Sequence, residues 1–275
     1  MRRVALATAR LAEDPDEPLL LAALAAEGID ARALPWDEPD PFDDDLVVIR
    51  STWDYTSRLA EFLDWARRVA RLANPYDVVA YSSDKSYLGD LAARGHRVVA
   101  TTYVDVGAEP AFPPGDVVVK PRVGAGSLDA ARYGGAEREA ALAHVARLHA
   151  AGRDALVQPY VASVDDLGER ALVFIGGEFS HAMTKGAMLN VTQESRTWLY
   201  RVEAMSRARA EPDALALARE VLAGFDDLLY ARVDLVRDEG AWALMELELV
   251  EPSLFLTHAP DAASRLARAI ARRVA

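Results

Sequence analysis

The chain has 275 residues, 51% of them hydrophobic and 27% charged, which fits one large domain or two to three small ones with ample core. Its net charge of −12 argues against nucleic acid or an anionic membrane surface as the main partner. The absence of cysteine excludes disulfides, thiolate nucleophiles and cysteine metal sites. The N-terminal apolar run is too short for a signal peptide, and no run reaches the roughly 20 residues that span a bilayer, so we expect a cytoplasmic protein.

Strands alternate with helices in the first part of the chain, which predicts a parallel α/β domain over residues 1–76. Leucine and alanine recur at helical spacing between short apolar runs. The predicted strands are residues 4–8, 29–34 and 46–49, and the predicted helices are residues 18–27 and 59–72.

Two further domains are expected after the break at Asn74-Pro75, over residues 77–160 and 161–275. From Gly168 onward the pattern predicts an antiparallel α+β arrangement, with a hairpin turn at Gly176-Gly177. The predicted central elements are helices at 84–95 and 136–150 and strands at 98–100, 117–120 and 155–158. The predicted C-terminal elements are strands at 170–175, 178–184, 231–237 and 242–249 and helices at 211–222 and 258–274.

A loop of small residues follows the predicted strand that ends at Lys120, and it contains Gly124, Gly126 and Ser127. Backbone N–H groups of such a loop can close on phosphate oxygens without obstruction by side chains. The lysine precedes the glycines, so this is not a Walker A motif, and the glycine spacing does not match a dinucleotide fingerprint. An ordinary hairpin loop remains an alternative.

A second candidate is the strand end Gln158-Pro159-Tyr160-Val161, followed by Asp165. An extended hinge exposes backbone groups that can pair with an adenine edge, and a carboxylate four residues later can accept a ribose hydroxyl. A plain strand-to-loop transition with an aromatic residue in the core explains the same residues.

Carboxylates lie in alternate positions of the last two predicted strands. Strand alternation places Arg232 and Asp234 on one face, and Glu246 and Glu248 share a face in the same way. Carboxylates in an apolar strand are unfavourable unless they are paired or bound to metal, and oxygen ligands of this kind suit Mg²⁺. We therefore favour a magnesium site over a half-exposed edge strand with solvated glutamates.

A fourth candidate follows the strand at residues 46–49, where Arg50, Ser51 and Asp54 come before a helix. Ligands of open parallel sheets bind beyond the carboxyl ends of the strands, so these side chains can hold a zwitterionic substrate. A capped loop with Trp53 in the core is the alternative.

Lysine is rare in this chain. Of its 31 lysines and arginines only Lys85, Lys120 and Lys185 are lysine. Lysine is a compact ammonium and arginine a planar fork, so the two are not interchangeable at a phosphate. We infer that the three lysines serve a shared polyphosphate, although chance retention at the surface gives the same count.

Taken in order, these motifs resemble the ATP-grasp ligases over the whole chain. The resemblance implies an ATP-grasp fold behind an N-terminal parallel α/β domain, with Mg-ATP between two α+β parts. The matching elements are Asp84-Lys85, Lys120-Pro121, Gly124-x-Gly126-Ser127, Gln158-Pro159-Tyr160-Val161, Gly168-Glu169-Arg170, Lys185, Arg232-x-Asp234 and Glu246-x-Glu248.

Roles for individual residues follow from this resemblance alone. It implies that the phosphates are bound by two lysines and a mobile loop, the adenine by a hinge, and one or two Mg²⁺ ions by three carboxylates. The family more often has asparagine where Glu248 stands. The implied ATP-binding residues are Lys85, Lys120, Gly124, Gly126, Ser127, Gln158, Tyr160, Val161 and Asp165; the implied cations near the transferred phosphate are Lys185 and Arg232; the implied metal ligands are Asp234, Glu246 and Glu248.

Within that superfamily the segments 50–55, 84–88, 179–182 and 248–255 resemble the subgroup that contains the cyclo-ligase forming D-cycloserine from O-ureido-D-serine, and they are also similar to bacterial glutathione synthetase. The implied reaction activates a carboxylate as an acyl phosphate, which an amine-type nitrogen then attacks. We expect an amino-acid-like small-molecule substrate, bound by Arg50, Ser51, Asp54, His181 and Glu251, and leave a homodimer open. A small-molecule kinase of the same fold and a non-catalytic nucleotide-binding protein are the alternatives.

Overall fold

A computed structural model describes residues 2–38, 46–187 and 205–275. The N-terminal domain contains a three-stranded parallel sheet in the order β2-β1-β3, with buried apolar side chains along β1 and β3. This confirms the predicted strands and helices, except that the second helix is shorter. Its elements are β1 (Arg2–Thr8), α1 (Glu17–Ala26), β2 (Ile29–Pro35), β3 (Leu46–Ile49) and α2 (Leu59–Arg68), with a 3₁₀ turn over Trp53–Ser57.

The early end of α2 has a local cause. Val69 adopts an extended backbone, and the chain then runs beside β3, where the N–H of Val47 donates to Arg71 and its carbonyl accepts from Ala73. Hydrogen bonds to β3 therefore replace the last helical turn that the spacing predicted.

The central part folds as a four-stranded antiparallel sheet in the order β4-β7-β5-β6. The predicted strand at residues 98–100 is wrong. Val98 makes an isolated bridge to Leu244, which connects this segment to the C-terminal sheet. The first strand of the central sheet begins later, at Thr102. The central elements are α3 (Tyr76–Ser82), α4 (Tyr87–Ala93), β4 (Thr102–Val104), β5 (Val117–Pro121), β6 (Ala131–Tyr133), α5 (Arg138–Ala150) and β7 (Ala155–Pro159).

The C-terminal part is a five-stranded antiparallel sheet in the order β10-β9-β8-β11-β12. The predicted hairpins and the helix between them are confirmed, and Gly176 and Gly177 both have positive φ in the first turn. The last helix begins four residues later than predicted, after a 3₁₀ turn over Leu256–His258. The elements are α6 (Ser163–Leu167), β8 (Glu169–Ile175), β9 (Glu178–Lys185), β10 (Met205–Ala208), α7 (Pro212–Leu222), β11 (Tyr230–Asp238), β12 (Ala241–Glu248) and α8 (Ala262–Arg273).

The C-terminal sheet is covered on both faces. One apolar cluster joins it to α4 and α7, and another joins it to α8 and the N-terminal domain through Leu20 and Leu24. The N-terminal domain is thereby packed onto the C-terminal sheet, and a cleft remains between that sheet and the central one. No helix of the described residues is both long and apolar enough to cross a membrane.

Candidate active site

The cleft lies between the central sheet and the C-terminal sheet, with about 1540 Å³ of space that no protein atom fills, open solvent included. The end of β5, the loop that follows it and the hinge after β7 form one wall. The ends of β9, β11 and β12 form the other, and residues of the segments 53–55 and 250–255 also line the cleft. Three sequence-distant parts of the chain therefore meet at one site.

Three carboxylates converge on the C-terminal wall. The register of β11 and β12 places Asp234 opposite Glu246 and Arg232 opposite Glu248, on one face of the sheet. One oxygen from each of Asp234, Glu246 and Glu248 can be chosen so that all three lie within 4.8 Å of one another. Strand alternation therefore produces the cluster that the sequence indicated.

Each carboxylate of this cluster is paired with a protein cation. Nζ of Lys185 lies 2.8 Å from Oδ2 of Asp234, which is fully buried, and Nζ of Lys85 lies 3.0 Å from Oε1 of Glu246. Arg232 donates to Asp234 at 2.9 Å and also to Glu248. These pairs balance charges that would otherwise be strongly destabilised by burial.

Arg232 is held on every side. Besides the two carboxylates, its Nη1 donates to the carbonyl of Ser253 at 3.1 Å, and its guanidinium lies 5.1 Å from the ring centre of Phe255. Phe255 has φ +52°, a left-handed conformation that is unfavourable for a residue with a Cβ. The fold accepts this strain where it brings segment 250–255 against the guanidinium.

The carboxylates differ in their affinity for protons. Burial opposes ionisation of Glu246, but Lys85, Lys120 and Lys185 together hold its pKa well below the ordinary value. Burial raises the pKa of Glu248 to about 7. The negative charges of Asp234 and Glu246 also raise this pKa, whereas the positive charge of Arg232 lowers it. Two permanent anions and one readily protonated carboxyl thus share the site.

Lys120 differs from Lys85 and Lys185 in having no carboxylate partner among the described residues. Among residues 2–38, 46–187 and 205–275, no carboxylate oxygen lies within 4 Å of its Nζ. Burial lowers the pKa of Lys120, and the positive charges of Lys85 and Lys185 lower it as well. The negative charge of Glu246 acts in the opposite direction and raises it. A half-buried ammonium with no carboxylate in contact among the described residues favours an anionic ligand in the cleft.

The loop after β5 lines the cleft together with Lys120. Its residues Gly124, Gly126 and Ser127 are among the lining residues, as the sequence suggested. Gly126 and Ser127 both have positive φ, and the carbonyl of Gly124 accepts from Nζ of Lys85 at 2.6 Å. Lys85 therefore connects the loop to Glu246 on the opposite wall.

The hinge residues Gln158, Tyr160 and Val161 also line the cleft, whereas Asp165 does not. Asp165 accepts the Tyr160 hydroxyl at 2.6 Å and pairs with Arg132 at 3.2 Å, and Arg132 stacks 3.6 Å from the centre of the Tyr160 ring. Both oxygens of this carboxylate are used to orient the aromatic ring, so the structure does not favour Asp165 as a direct ribose contact.

Four of the five expected substrate residues do not line the cleft. Arg50 donates to the carbonyl of Pro252 at 3.1 Å and pairs with Asp14, and Oδ1 of Asp54 accepts the indole N–H of Trp36 at 2.9 Å. Ser51 is buried next to them, and none of the three lines the cleft.

His181 is placed by the same kind of internal contact. Its Nε2 pairs with the carbonyl of Leu254 at 2.9 Å and its Nδ1 with the hydroxyl of Ser180, while burial lowers the pKa of His181 to about 4. The neutral ring anchors segment 250–255 to β9 rather than reaching the cleft. Of the five expected substrate residues, Glu251 lines it.

Comparisons with known proteins agree with this geometry. The family of the N-terminal domain of the D-cycloserine synthetase DcsG matches residues 4–74. The cycloserine biosynthesis protein DcsG of Streptomyces lavendulae is 39% identical over 284 aligned residues, which cover 95% of this chain and 94% of that protein. The chain belongs to the DcsG family of ATP-grasp ligases.

Solved structures extend the likeness. The crystal structure of D-cycloserine synthetase DcsG superimposes with a TM-score of 0.88 at 38% identity, covering 99% of this chain and 100% of that one. D-alanine–D-alanine ligase from Bacillus anthracis has a TM-score of 0.70 at 12% identity, covering 100% and 98% of the two chains, which shows a shared fold.

Membership in the DcsG family confirms several expectations from the sequence. The fold is ATP-grasp behind a parallel α/β domain, and the protein is an ATP-dependent ligase that joins a carboxylate to an amine-type nitrogen of a small molecule. The individual site residues and the domain limits stay predictions.

Sequence reasoning missed the aromatic part of the cleft of this DcsG-family enzyme. Trp53 and Tyr55 line it from the N-terminal domain, and Tyr87 and Phe255 line it from the other two parts. Trp53 and Tyr55 stand within the segment that was singled out, but the predicted contacts were its charged side chains. An aromatic pair two residues apart in a turn gives no periodic signal that distinguishes cleft from core.

Proposed function

We propose that this enzyme is a D-cycloserine-type synthetase: it uses Mg-ATP to activate the carboxylate of an amino-acid-like substrate, and a nitrogen of the same molecule then closes a ring. The observation that carries this proposal is identity of 39% to DcsG over 95% of the chain, together with the acid–cation cluster in the cleft. O-ureido-D-serine is the first substrate to test, because the resemblance of segments 50–55 and 248–255 points to it.

The nucleotide would lie across the cleft with its base at the hinge. Gln158, Tyr160 and Val161 would contact the adenine, while Lys120 and Lys85 would take the phosphates with the loop 123–127 above them. The main support is the ammonium of Lys120, which has no carboxylate within 4 Å in the described part of the chain, since a polyphosphate would supply negative charge there.

The donor set also fits magnesium. Asp234, Glu246 and Glu248 offer hard oxygen ligands within 4.8 Å of one another, and all three would hold the ion or ions against the phosphates. A bound Mg²⁺ would neutralise charge on the phosphate oxygens during transfer.

The residues of this chain would act by position and charge. The substrate carboxylate oxygen attacks the γ-phosphorus, an O–P bond forms, the bond to the β-phosphate oxygen breaks, and ADP leaves. The nitrogen then attacks the acyl carbon, a C–N bond forms, the C–O bond to phosphate breaks, and inorganic phosphate leaves while the nitrogen loses a proton. Arg232 and Lys185 would stabilise the negative charge on the transferred phosphate and on the tetrahedral oxyanion.

The test is release of ADP and phosphate in the presence of ATP, Mg²⁺ and a panel of amino acids, dipeptides and ureido- or aminooxy-amino acids. We expect release with O-ureido-D-serine and a cyclic product in the mass spectrum. Lys120→Ala and Asp234→Ala should abolish turnover and keep the fold, with Asp238→Ala, on the same strand but outside the cleft, as the active control. Full activity of the Lys120 and Asp234 variants would contradict the assignment.

Two other outcomes would change the assignment from a ligase to another class of protein. A stable phosphorylated substrate without a new C–N bond would identify a small-molecule kinase. ATP binding without consumption across the panel would identify a non-catalytic nucleotide-binding protein, although the complete acidic cluster argues against that.

A further inference from the structure

One carboxyl group in the cleft takes no part in the nucleotide, metal or phosphate contacts proposed above. Glu251 lies three residues after the end of β12, lines the cleft and is 8% exposed. The hydroxyl of Tyr55, which comes from the N-terminal domain, lies close enough to Glu251 to interact with its carboxyl group. Within the part of the chain that the structure describes, no lysine, arginine or histidine nitrogen lies within 4 Å of it.

This distinguishes Glu251 from its neighbours. Asp234, Glu246 and Glu248 are each neutralised by Lys185, Lys85 or Arg232 at contact distance. A buried carboxylate without a cation is unfavourable, so it either takes up a proton or binds a cationic ligand. Burial and the nearby charge of Glu248 raise the pKa of Glu251 to about 8, which favours the proton unless a cationic ligand binds.

The Tyr55 hydroxyl fixes how the carboxyl group is presented. Burial and the charges of Glu251 and Glu248 hold the pKa of Tyr55 well above its ordinary value, so the phenol keeps its proton and donates. A hydrogen bond donated to one acceptor position of the carboxylate leaves its other acceptor positions available to a ligand in the cleft. Trp53, from the same turn as Tyr55, forms the adjoining wall.

The chemistry of the substrate supplies the cation. In an α-amino acid the ammonium nitrogen is two bonds from the carboxyl carbon, so the group that binds it must stand next to the site of activation. Glu251 follows the candidate metal ligand Glu248 by three residues, and the Phe255 ring that contacts Arg232 is on the same segment. The anion is therefore beside the place where an activated carboxylate would lie.

We propose that the carboxylate of Glu251, oriented by the Tyr55 hydroxyl, binds the α-ammonium group of the substrate and so makes the enzyme select amino acids over simple carboxylic acids. This inference rests on the proposed function, because it places the activated carboxylate near Arg232. It assigns Glu251 to substrate binding and Tyr55 to positioning.

The experiment measures steady-state phosphate release with Glu251→Gln, an isosteric change, on the substrate found for the wild type. We expect KM for that substrate to rise about 10- to 100-fold, the range of a charged hydrogen bond, with KM for ATP unchanged. Tyr55→Phe, which keeps the ring, should raise the same KM by a smaller factor, and a thermal melt shows that both variants fold.

A matched substrate separates binding from structure. For the analogue that lacks the α-amino group, here 3-(ureidooxy)propanoic acid, wild type and Glu251→Gln should have the same KM. Equal losses on both substrates, or an unchanged KM on the amino acid, would overturn the proposal. If the wild type turns over no substrate of the panel, the proposed function has failed. If the wild type turns over an amino-acid substrate and Glu251→Gln has the same KM for it, only the inference about Glu251 is refuted.

Discussion

Lys185 offers the sharpest test of how protein cations stabilise the acidic cluster. Its ammonium lies 2.8 Å from Glu169 and 2.8 Å from the fully buried Asp234. A metal ion that binds Asp234 must compete with this ammonium unless a phosphate draws the ammonium away. We therefore expect Mg²⁺ or Mn²⁺ alone to bind the wild type weakly, and Lys185→Met to bind Mn²⁺ more tightly without nucleotide.

The magnitude follows from the ion pair. Removal of one partner from a buried pair typically destabilises a protein by about 3–5 kcal/mol. Asp234 keeps Arg232 at 2.9 Å, so the lower end, about 3 kcal/mol, applies, and at roughly 2–4 °C per kcal/mol the melting temperature falls by about 6–12 °C. If a bound metal restores half of that, about 1.5 kcal/mol, Mn²⁺ affinity increases about tenfold.

The assay is Mn²⁺ titration by electron paramagnetic resonance or calorimetry on the nucleotide-free protein, with a thermal melt at each metal concentration. Lys185→Arg, which keeps the charge, is the matched control and should leave Mn²⁺ affinity near that of the wild type. Binding of ATP should weaken in Lys185→Met, opposite to the change for metal. Unchanged melting temperature and unchanged Mn²⁺ affinity in that variant would refute the competition.

Three further predictions concern other parts of the site. Lys120→Arg should weaken ATP binding at least tenfold by calorimetry, because a planar fork cannot replace a compact ammonium that approaches a phosphate; equal affinity would show that charge alone suffices. Gly168→Ala should destabilise the protein by about 3 kcal/mol in denaturant unfolding, because φ is +67° and a Cβ would lie 2.4 Å from the carbonyl of Lys185; wild-type stability would contradict this. Burial lowers the pKa of His181 from 6.5 to about 4, so the folded state resists protonation of this ring. The free energy of unfolding of the wild type should therefore fall by about 3 kcal/mol as the pH decreases from about 6.5 towards 4. His181→Gln should flatten this decline in denaturant unfolding measured across that pH range.

The acidic cluster was predictable because it depends on one local rule. Residues two apart in a strand share a face, so Arg232 with Asp234 and Glu246 with Glu248 needed only the hairpin between them to come together. The Gly176-Gly177 hairpin and the order of helices and strands depend on the same kind of short-range pattern.

The substrate side was not predictable in this way. Arg50 and Asp54 look available in the sequence, yet Pro252 and Trp36 use them, and those partners are far away along the chain. Which polar side chain faces a cleft and which satisfies a distant backbone group depends on tertiary packing. Tyr55 and Glu251 meet for the same reason, across an interface between the N-terminal domain and the segment after β12.

The rarity of lysine gains a physical reading from these contacts. Arg232 has its guanidinium fixed by two carboxylates, a backbone carbonyl and an aromatic ring, so it is a stationary charge. Lys85 and Lys185 each place one ammonium against at least two acceptors, and Lys120 has no carboxylate within contact distance in the described chain. A rotatable ammonium on a flexible stem can exchange a carboxylate for a phosphate with little rearrangement, whereas a fork held in a fixed geometry cannot. A site that must pass its carboxylates from protein cations to a metal therefore favours lysine at the positions that exchange partners and arginine at the position that does not.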